Sequence, residues 1–229
     1  MIYAISDLHI SRSGEKPMDV FGASWKNHYN RICENWSKTV SEEDTVLVPG
    51  DLSWAMRIDE AFTDLSEIMQ LPGKKIFIRG NHDYWWSGIG KVRDKFSCFE
   101  NAYFLQNDSV TVDGVSYCGT RGWLCPQNTE YKKTKDESIY RREVSRLEMA
   151  LKKTEAGLPK VVLLHFPPLV DSSNEFTDLL EKYNVNYVVY GHLHGIAIQN
   201  AFVGERNGIS YTLCSADSIG FCPIKVDIG

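Results

Sequence analysis

The sequence predicts a mixed α/β layered fold, because short apolar runs alternate with helix patterns along most of its 229 residues. Hydrophobic residues make up 43% of the chain and charged residues 24%, a balance typical of a soluble globular protein with a sizeable core. Toward the end of the chain, helix patterns give way to strand patterns separated by turns. We therefore expect a helix-flanked, partly parallel sheet that gathers antiparallel strands late in the sequence.

Five apolar segments have the length and composition of strands that are buried on both faces. They lie at residues 2–5, 46–48, 76–78, 161–164 and 187–190. Two further regions contain the turn signals of β-hairpins, Asp113-Gly114 and Asn207-Gly208. Around them we predict short strands within residues 102–118 and strands over residues 196–202, 209–214 and 224–226.

Apolar residues recur every three or four positions in the stretches between these strands, which predicts amphipathic helices. The helix patterns cover residues 21–40, 58–69, 140–151 and 176–183, with Asn174 as N-cap of the last and His28 in the middle of the first. No repeat or linker interrupts the chain, so we predict a single domain over residues 1–229. The longest irregular piece, residues 119–135, is a candidate functional loop.

Charge and cysteine content limit the classes of partner. Lysine and arginine number 25 against 30 acidic residues, a net charge of −5, so no positive excess attracts nucleic acid or a membrane surface. The six cysteines form no C-x-x-C pair, which favours reduced thiols. The first residues lack a basic segment followed by a long apolar run, so we expect neither a signal peptide nor a membrane anchor, and a cytoplasmic location.

Polar side chains cluster at the predicted strand ends, and five of the six histidines are among them. Since the carboxyl ends of parallel strands form one rim, we expect these side chains to meet. The candidate metal ligands are Asp7, His9, Asp51, Asn81, His165, His192 and His194. Carboxylate, amide and imidazole donors without thiolate suit manganese, which we expect first, and also iron, zinc or nickel. Seven donors are too many for one tetrahedral ion but suit two ions that share a carboxylate.

The order of these elements resembles that of the calcineurin-like metallophosphoesterases. That family has D-x-H, G-D, G-N-H-[DE], a lone H and G-H-x-H in this order along the chain. The corresponding elements here are Asp7-x-His9, Gly50-Asp51, Gly80-Asn81-His82-Asp83, His165 and Gly191-His192-x-His194, spanning residues 1 to roughly 195. The resemblance implies a sandwich of two mixed β-sheets flanked by helices, with the site at the carboxyl ends of the strands.

The resemblance also implies roles for individual residues. One ion would be held by Asp7, His9, Asp51 and His194, and the other by Asp51, Asn81, His165 and His192. The implied reaction is hydrolysis of a small-molecule or nucleotide phosphate mono- or diester by a hydroxide that bridges the two ions. His82 and Asn81 would contact the phosphoryl oxygens, His82 would also protonate the leaving group, and Asp83 would orient its imidazole.

Several alternatives stay open on the sequence alone. A protein phosphatase or a nuclease could use the same ligands, and a catalytically silent scaffold could use the same fold to bind proteins. Trp54 occupies the position where purple acid phosphatases carry a metal-binding tyrosine, so we expect no tyrosinate ligand. Arg121, Trp85 and Trp86 are candidate substrate-binding residues, against the alternatives of a salt-bridged arginine and core tryptophans. The sequence specifies neither the natural substrate nor the oligomeric state.

Overall fold

Two β-sheets pack face to face in the computed structural model, which describes residues 1–12, 16–168 and 173–228. The first sheet contains β1 (Ile2–Ala4), β2 (Thr45–Pro49), β3 (Lys74–Ile78), β4 (Ala102–Phe104) and β11 (Ile224–Val226). Its order is β11-β1-β2-β3-β4, in which β1 to β4 are parallel and β11 is antiparallel to β1. An antiparallel edge strand that comes last in the chain agrees with the predicted fold class.

The second sheet has six strands in the order β5-β6-β7-β8-β10-β9. They are β5 (Ser109–Val112), β6 (Val115–Thr120), β7 (Lys160–Leu164), β8 (Tyr187–Tyr190), β9 (Gly204–Arg206) and β10 (Ile209–Leu213). The four central strands are parallel, and β5 and β9 are antiparallel edges. Both edges are formed by the two predicted hairpins, whose turn residues have the positive φ angles that such turns require.

Helices cover the outer face of each sheet, which gives the molecule three apolar layers. The helices are α1 (His28–Thr39), α2 (Ile58–Gln70), α3 (Ile89–Lys95), α4 (Lys133–Leu151) and α5 (Glu175–Lys182). The first three pack on the first sheet, and α4 and α5 pack on the second. Between the sheets lies a layer of inward-facing strand residues that includes Leu47, Ile76 and Leu163. Asn174 caps α5 as predicted, since its side chain accepts from the backbone N–H groups of Phe176 and Thr177.

Four features differ from the prediction. The first helix begins at His28, because Gly22 and Asn27 have positive φ angles that break the preceding pattern into two 3₁₀ turns. His28 therefore starts α1 and is not in its middle. The segment predicted as a strand over residues 196–202 is mostly the 3₁₀ helix Gly195–Asn200, and α3 was not predicted. Because β6 extends to Thr120 and α4 begins at Lys133, the irregular stretch is shorter than expected.

The two sheets are aligned so that their strand ends meet in pairs along one rim. Ser6, just past β1, donates its backbone N–H to Cys214, just past β10. The imidazole of His165, after β7, lies 3.0 Å from the carbonyl oxygen of Pro49 at the end of β2. In turn, β3 packs against β6. Within the described residues, no helix has both the length and the apolar character needed to cross a membrane.

Candidate metal centre

The ends of β1, β2 and β8 bring together the four donors predicted for the first ion. The Oδ1 atom of Asp7 lies 3.2 Å from Nε2 of His194 and 4.0 Å from Nε2 of His9. The same His9 nitrogen lies 3.7 Å from Oδ2 of Asp51. Ligand atoms of Asp7, His9 and His194 all lie within 4.8 Å of one another, so these three side chains could hold one metal ion, with Asp51 beside His9.

The donors predicted for the second ion form a continuous chain of contacts from β2 to β8. Asp51 Oδ2 lies 3.4 Å from Nε2 of His165, and that nitrogen lies 2.7 Å from Oδ1 of Asn81. Asn81 Oδ1 is also 3.0 Å from Nδ1 of His192. Asp51 therefore contacts donors of both predicted sets. The structure thus brings all seven predicted ligands together, and Asp7 also lies within reach of the Asp51–His165 pair.

The backbone is strained at four of these residues. Asp7, His9, Asp51 and His192 have φ angles of 59°, 46°, 53° and 74°, in the left-handed region that non-glycine residues seldom adopt. Each such residue costs of order 1–2 kcal/mol, so surrounding contacts must hold it. Hydrogen bonds do so, since Asp7 donates its N–H to Gly50 and the carboxylate of Asp7 accepts from the N–H of His192. Strain at several residues of one rim is typical of a functional site.

Two glycines allow the strand ends to approach this closely. A Cβ atom on Gly80 would lie 2.1 Å from Oδ1 of Asp51. A Cβ atom on Gly191 would lie 2.1 Å from Oγ of Ser6 and 2.3 Å from Oδ2 of Asp7. No side chain fits at these distances, so the G-N-H and G-H-x-H elements need glycine for the packing of the donor residues themselves.

The role expected for Asp83 is wrong. Its buried carboxylate accepts hydrogen bonds from the backbone N–H groups of Gly80, Asp51, Leu52 and Ser53, and from the indole N–H of Trp85. In contrast, Nδ1 of His82 is buried and has no hydrogen-bond partner in the described part of the chain. Asp83 therefore holds the loop that carries Asp51, and it does not orient the imidazole.

The electrostatics of the cluster suit bound cations. Burial, followed by repulsion from Asp7 and Asp83, raises the pKa of Asp51 well above its usual range. Burial lowers the pKa of His165 to about 3 and that of His192 to about 4. These imidazoles are therefore neutral at pH 7, the state in which a ring nitrogen can bind a metal. Buried carboxylates that repel one another, together with neutral imidazoles and an amide oxygen, fit a pair of divalent transition ions.

Two supporting residues were not found by sequence reasoning. Asp217 accepts a hydrogen bond of 2.8 Å from Nδ1 of His194 and another from the N–H of Gly195, so Nε2 of His194 faces Asp7. Although burial opposes it, the hydrogen bonds that the two ring nitrogens of His194 donate to the carboxylates of Asp217 and Asp7 raise the pKa of His194 to about 10. Ser6 donates to Oδ2 of Asp7 over 2.6 Å. A carboxylate that orients a ligand histidine is common around protein metals, but neither residue belongs to a recognisable motif.

A cavity of about 320 Å³ opens beside His9 and His194. Its wall is largely apolar and aromatic, formed by Met18, Phe21, Trp25 and Trp54, with His82 also facing it. The Trp54 ring lies 4.5 Å from the His82 ring and stacks on His9 at 4.8 Å, measured between centroids. His82 is thus at the boundary between the donor cluster and the cavity. The wall residues come from a loop and from 3₁₀ turns, and the helix pattern over residues 21–40 placed Phe21 and Trp25 in a helix instead.

The predicted substrate-binding residues lie elsewhere. Trp85 and Trp86 are 2% and 0% exposed and pack with Phe96 and Phe104 in the core, so the prediction that they line the substrate pocket is wrong. Their indole N–H groups donate to Asp83 and Gln106, which explains how they are buried without loss of hydrogen bonds. Arg121 does not line the cavity beside His82, and it faces Glu143 instead.

Comparison with known proteins gives relatives of the same type. The chain is 24% identical over 176 residues to an uncharacterised metallophosphoesterase of Helicobacter pylori, and 25% identical over 179 residues to a UPF0046 protein of Caenorhabditis elegans. The matched segments cover 74% and 68% of this chain, but only 40% and 58% of those relatives' own lengths.

Solved structures share the fold. The phosphopantetheinyl hydrolase of Mycobacterium tuberculosis superposes with a TM-score of 0.54 at 19% identity, covering 92% of this chain and 86% of that one. A protein of unknown function from Aquifex aeolicus gives a TM-score of 0.53 at 18% identity, covering 98% and 94%. The family model of the calcineurin-like phosphoesterases matches residues 1–195, the span that contains all seven donors. Family membership implies metal-dependent hydrolysis of phosphoric esters, and this chain belongs to the calcineurin-like phosphoesterases.

Proposed function

We propose that the chain hydrolyses phosphate mono- or diesters of small molecules or nucleotides at a centre that holds two divalent ions. The observation that carries this proposal is the convergence of Asp7, His9, Asp51, Asn81, His165, His192 and His194 from five strand ends. When bound, two such ions supply a nucleophile from water near neutral pH and neutralise charge on the phosphoryl oxygens. A scaffold protein would have no need of a complete donor set.

The chain's own residues would position the reactants. Asp51 contacts donors of both sets, so its carboxylate is the group suited to lie between the two ions. Asp83 and Asp217 act as positioning residues, because the first holds the loop of Asp51 and the second fixes the ring of His194. Oxygen and nitrogen atoms already in place reduce the reorganisation that the transition state requires.

His82 is the candidate proton donor. Burial lowers its pKa, so the imidazole is neutral near pH 7 in the free chain. Its Nδ1 atom is buried without a hydrogen-bond partner among the described residues, while the ring lines the cavity. A phosphate dianion beside the ring would raise its pKa, since a nearby negative charge favours the protonated form. His82 would then hydrogen-bond a phosphoryl oxygen and protonate the leaving group.

The cavity wall indicates the substrate's other half. Phe21 is the exposed aromatic side chain of this wall, and Met18, Trp25 and Trp54 form its apolar floor beside His82 and His194. A planar group such as an aryl ring or a nucleobase would pack there while its phosphate reached the donor cluster. We therefore favour an ester whose leaving group carries such a ring. Manganese as the ion and a cytoplasmic location stay predictions.

The experiment compares two aspartates with the same backbone conformation. Asp51 and Asp113 both have φ near +50°, but Asp113 lies in the exposed hairpin turn and pairs with Lys74. Asp51→Asn should lower manganese-supported hydrolysis of bis(p-nitrophenyl) phosphate by about 1,000-fold or more, because it weakens the binding of both ions. Asp113→Asn should retain the wild-type rate. Equal rates for Asp51→Asn and the wild type would refute the proposed function.

A further inference from the structure

A second group of charged side chains lies on the same rim, where β3 and β6 end. It lines a cavity of about 240 Å³, which we name the arginine cavity after Arg79, Arg121, Arg142 and Arg146. Arg79 directly follows β3, and Arg121 directly follows β6, while the other two arginines project from α4. The only acidic residue that lines this cavity among the described residues is Glu143. None of these side chains belongs to the donor cluster.

One carboxylate faces three of the four arginines of the arginine cavity. Glu143 is fully buried, and its Oε1 atom lies 2.7 Å from Arg146, 3.5 Å from Arg121 and 3.8 Å from Arg142. Its Oε2 atom accepts from the Thr120 hydroxyl. Four positive side chains against one negative leave a formal charge of +3. Arg79 forms no ion pair with any residue that the structure describes.

Three polar atoms in the arginine cavity are buried without a hydrogen-bond partner in the described ranges. They are Nε of Arg79, Nε of Arg121 and Oδ1 of Asn107. A buried donor that is left unpaired costs about 1–3 kcal/mol. Burial, as the largest cause, lowers the pKa of Arg121, and its charged neighbours are Glu143 and three other arginines. Unpaired guanidinium N–H groups and an excess of positive charge both indicate an anionic ligand.

We propose that the arginine cavity binds a phosphate group at a site separate from the metal centre. Guanidinium groups present paired N–H donors that match phosphate oxygens, and several arginines can share the oxygens of one tetrahedral anion. A planar carboxylate would leave more of these donors unpaired. The two unpartnered arginine Nε atoms supply donors of this type.

The position of the arginine cavity gives two sources for this phosphate. Asn81 follows Arg79 by two residues, and the carbonyl oxygen of Arg121 accepts from the backbone N–H groups of His165 and Phe166. The arginine cavity is therefore the next site along the rim from the donor cluster. Its ligand is either a second phosphate on the substrate, an inference that rests on the proposed function, or a free phosphate, which is independent of it.

The first arm of the test measures binding of free phosphate. Inorganic phosphate is titrated calorimetrically into chelator-treated protein, as wild type, Arg79→Gln and Arg121→Gln. We expect each substitution to weaken binding about tenfold or more, because each removes a charge-assisted donor. Arg141→Gln is the matched control, since Arg141 lies on the same helix but is exposed and pairs with Glu137. Arg121→Lys keeps a positive charge opposite Glu143. Comparison of its phosphate affinity with that of Arg121→Gln separates a loss of binding caused by misfolding from one caused by the missing donor.

The second arm measures use of a second phosphate on the substrate. The ratio of kcat/KM for adenosine 3′,5′-bisphosphate to that for adenosine 5′-monophosphate is compared in the same proteins. We expect this ratio to fall about tenfold in Arg79→Gln and Arg121→Gln and to stay at the wild-type value in Arg141→Gln. A fall in this ratio identifies the ligand of the arginine cavity as a second phosphate of the substrate. Weaker binding of inorganic phosphate with an unchanged ratio identifies the ligand as a free phosphate.

Each outcome decides the proposal. If the protein hydrolyses neither these nucleotides nor bis(p-nitrophenyl) phosphate, the proposed function fails, and the titration alone still decides the proposal for the arginine cavity. The proposal is overturned if neither arginine substitution changes phosphate affinity or the substrate ratio relative to Arg141→Gln. It is also overturned if the wild type binds no phosphate and shows no arginine-dependent ratio.

Discussion

The rim of the molecule contains two charged regions that use the same structural device with opposite sign. At the ends of β1, β2, β3, β7 and β8, two carboxylates, four imidazoles and the amide of Asn81 form the donor cluster. At the ends of β3 and β6, four arginines surround one carboxylate. Paired strand ends fix where side chains converge, whereas the residue types decide whether a cation or an anion can bind there. The fold therefore supplies positions, and chemistry follows from the side chains.

The two regions also differ in how their charges are balanced within the protein. Asp51 is repelled by Asp7 and Asp83, so its ionised form is disfavoured until cations arrive. Glu143, in contrast, is matched within the protein by ion pairs with three arginines and by a hydrogen bond from a hydroxyl. Removal of one carboxylate from each region should consequently have opposite effects on the fold.

The largest expected effect is on catalysis, through the fully buried His165. His165→Ala removes a donor that contacts both Asp51 and Asn81. We expect kcat/KM for manganese-supported hydrolysis of p-nitrophenyl phosphate to fall about 1,000-fold or more. The control is Asp113→Asn, since Asp113 lies in the exposed hairpin turn outside the donor set and pairs with Lys74. Similar losses in both variants would show that the donor cluster has no special role.

The next prediction compares the two regions directly by urea unfolding of chelator-treated protein. Glu143→Gln should lower the free energy of unfolding by about 2 kcal/mol, because it removes the counter-charge of three arginines, of which Arg121 is largely buried and the other two are partly exposed to water. Asp51→Asn should raise it by about 1 kcal/mol, because it removes a repelled carboxylate from an active site that is not optimised for stability. Changes of the same sign in both variants would contradict this difference between the regions.

A third prediction separates proton donation from metal binding. His82→Ala should retain the wild-type content of two ions per chain but lower kcat by about 100-fold. The loss should be greater for phenyl phosphate than for p-nitrophenyl phosphate, since the poorer leaving group depends more on protonation. Metal analysis and steady-state kinetics check both statements. A loss of equal size for both esters would contradict the role of His82 as proton donor.

The smallest effect concerns a buried cation far from both regions. Lys75 is fully buried and donates to the carbonyl oxygens of Met69 and Leu71, and burial lowers its pKa from 10.5 to about 8. Between these values the unfolded chain holds a proton that the folded chain has released, so the contribution of Lys75 to stability rises with pH. Relative to Lys75→Met, the wild type should gain about 2 kcal/mol in free energy of unfolding from about pH 7 to about pH 10. Unfolding in urea at both pH values measures this, and an unchanged difference would be contrary evidence.

The sequence was sufficient for the five apolar strands and for the convergence of the donor side chains, because both depend on local patterns, but it misplaced a strand over residues 196–202. Apolar runs end where the polar motifs begin, so the positions of Asp51 or His165 at strand ends follow from reading along the chain. Gly80 and Gly191 can also be recognised from their motifs. The reason why glycine is needed there is not local, because a Cβ atom would collide with residues that follow other strands.

Errors occurred where adjacency in sequence was taken for contact in space. Asp83 neighbours His82, yet its carboxylate turns to backbone groups some 30 residues earlier. Trp85 and Trp86 follow the same motif but enter the core. The aromatic cavity wall, Asp217 and the arginine cavity depend on packing between distant segments, which neither periodicity nor spacing can indicate.

Anomalous diffraction from crystals soaked in manganese tests the central claim most directly. We expect two peaks about 3.5–4 Å apart, with the carboxylate of Asp51 between them and the remaining donors divided between the two ions. A single peak, or peaks away from the ends of β1, β2, β7 and β8, would contradict the account.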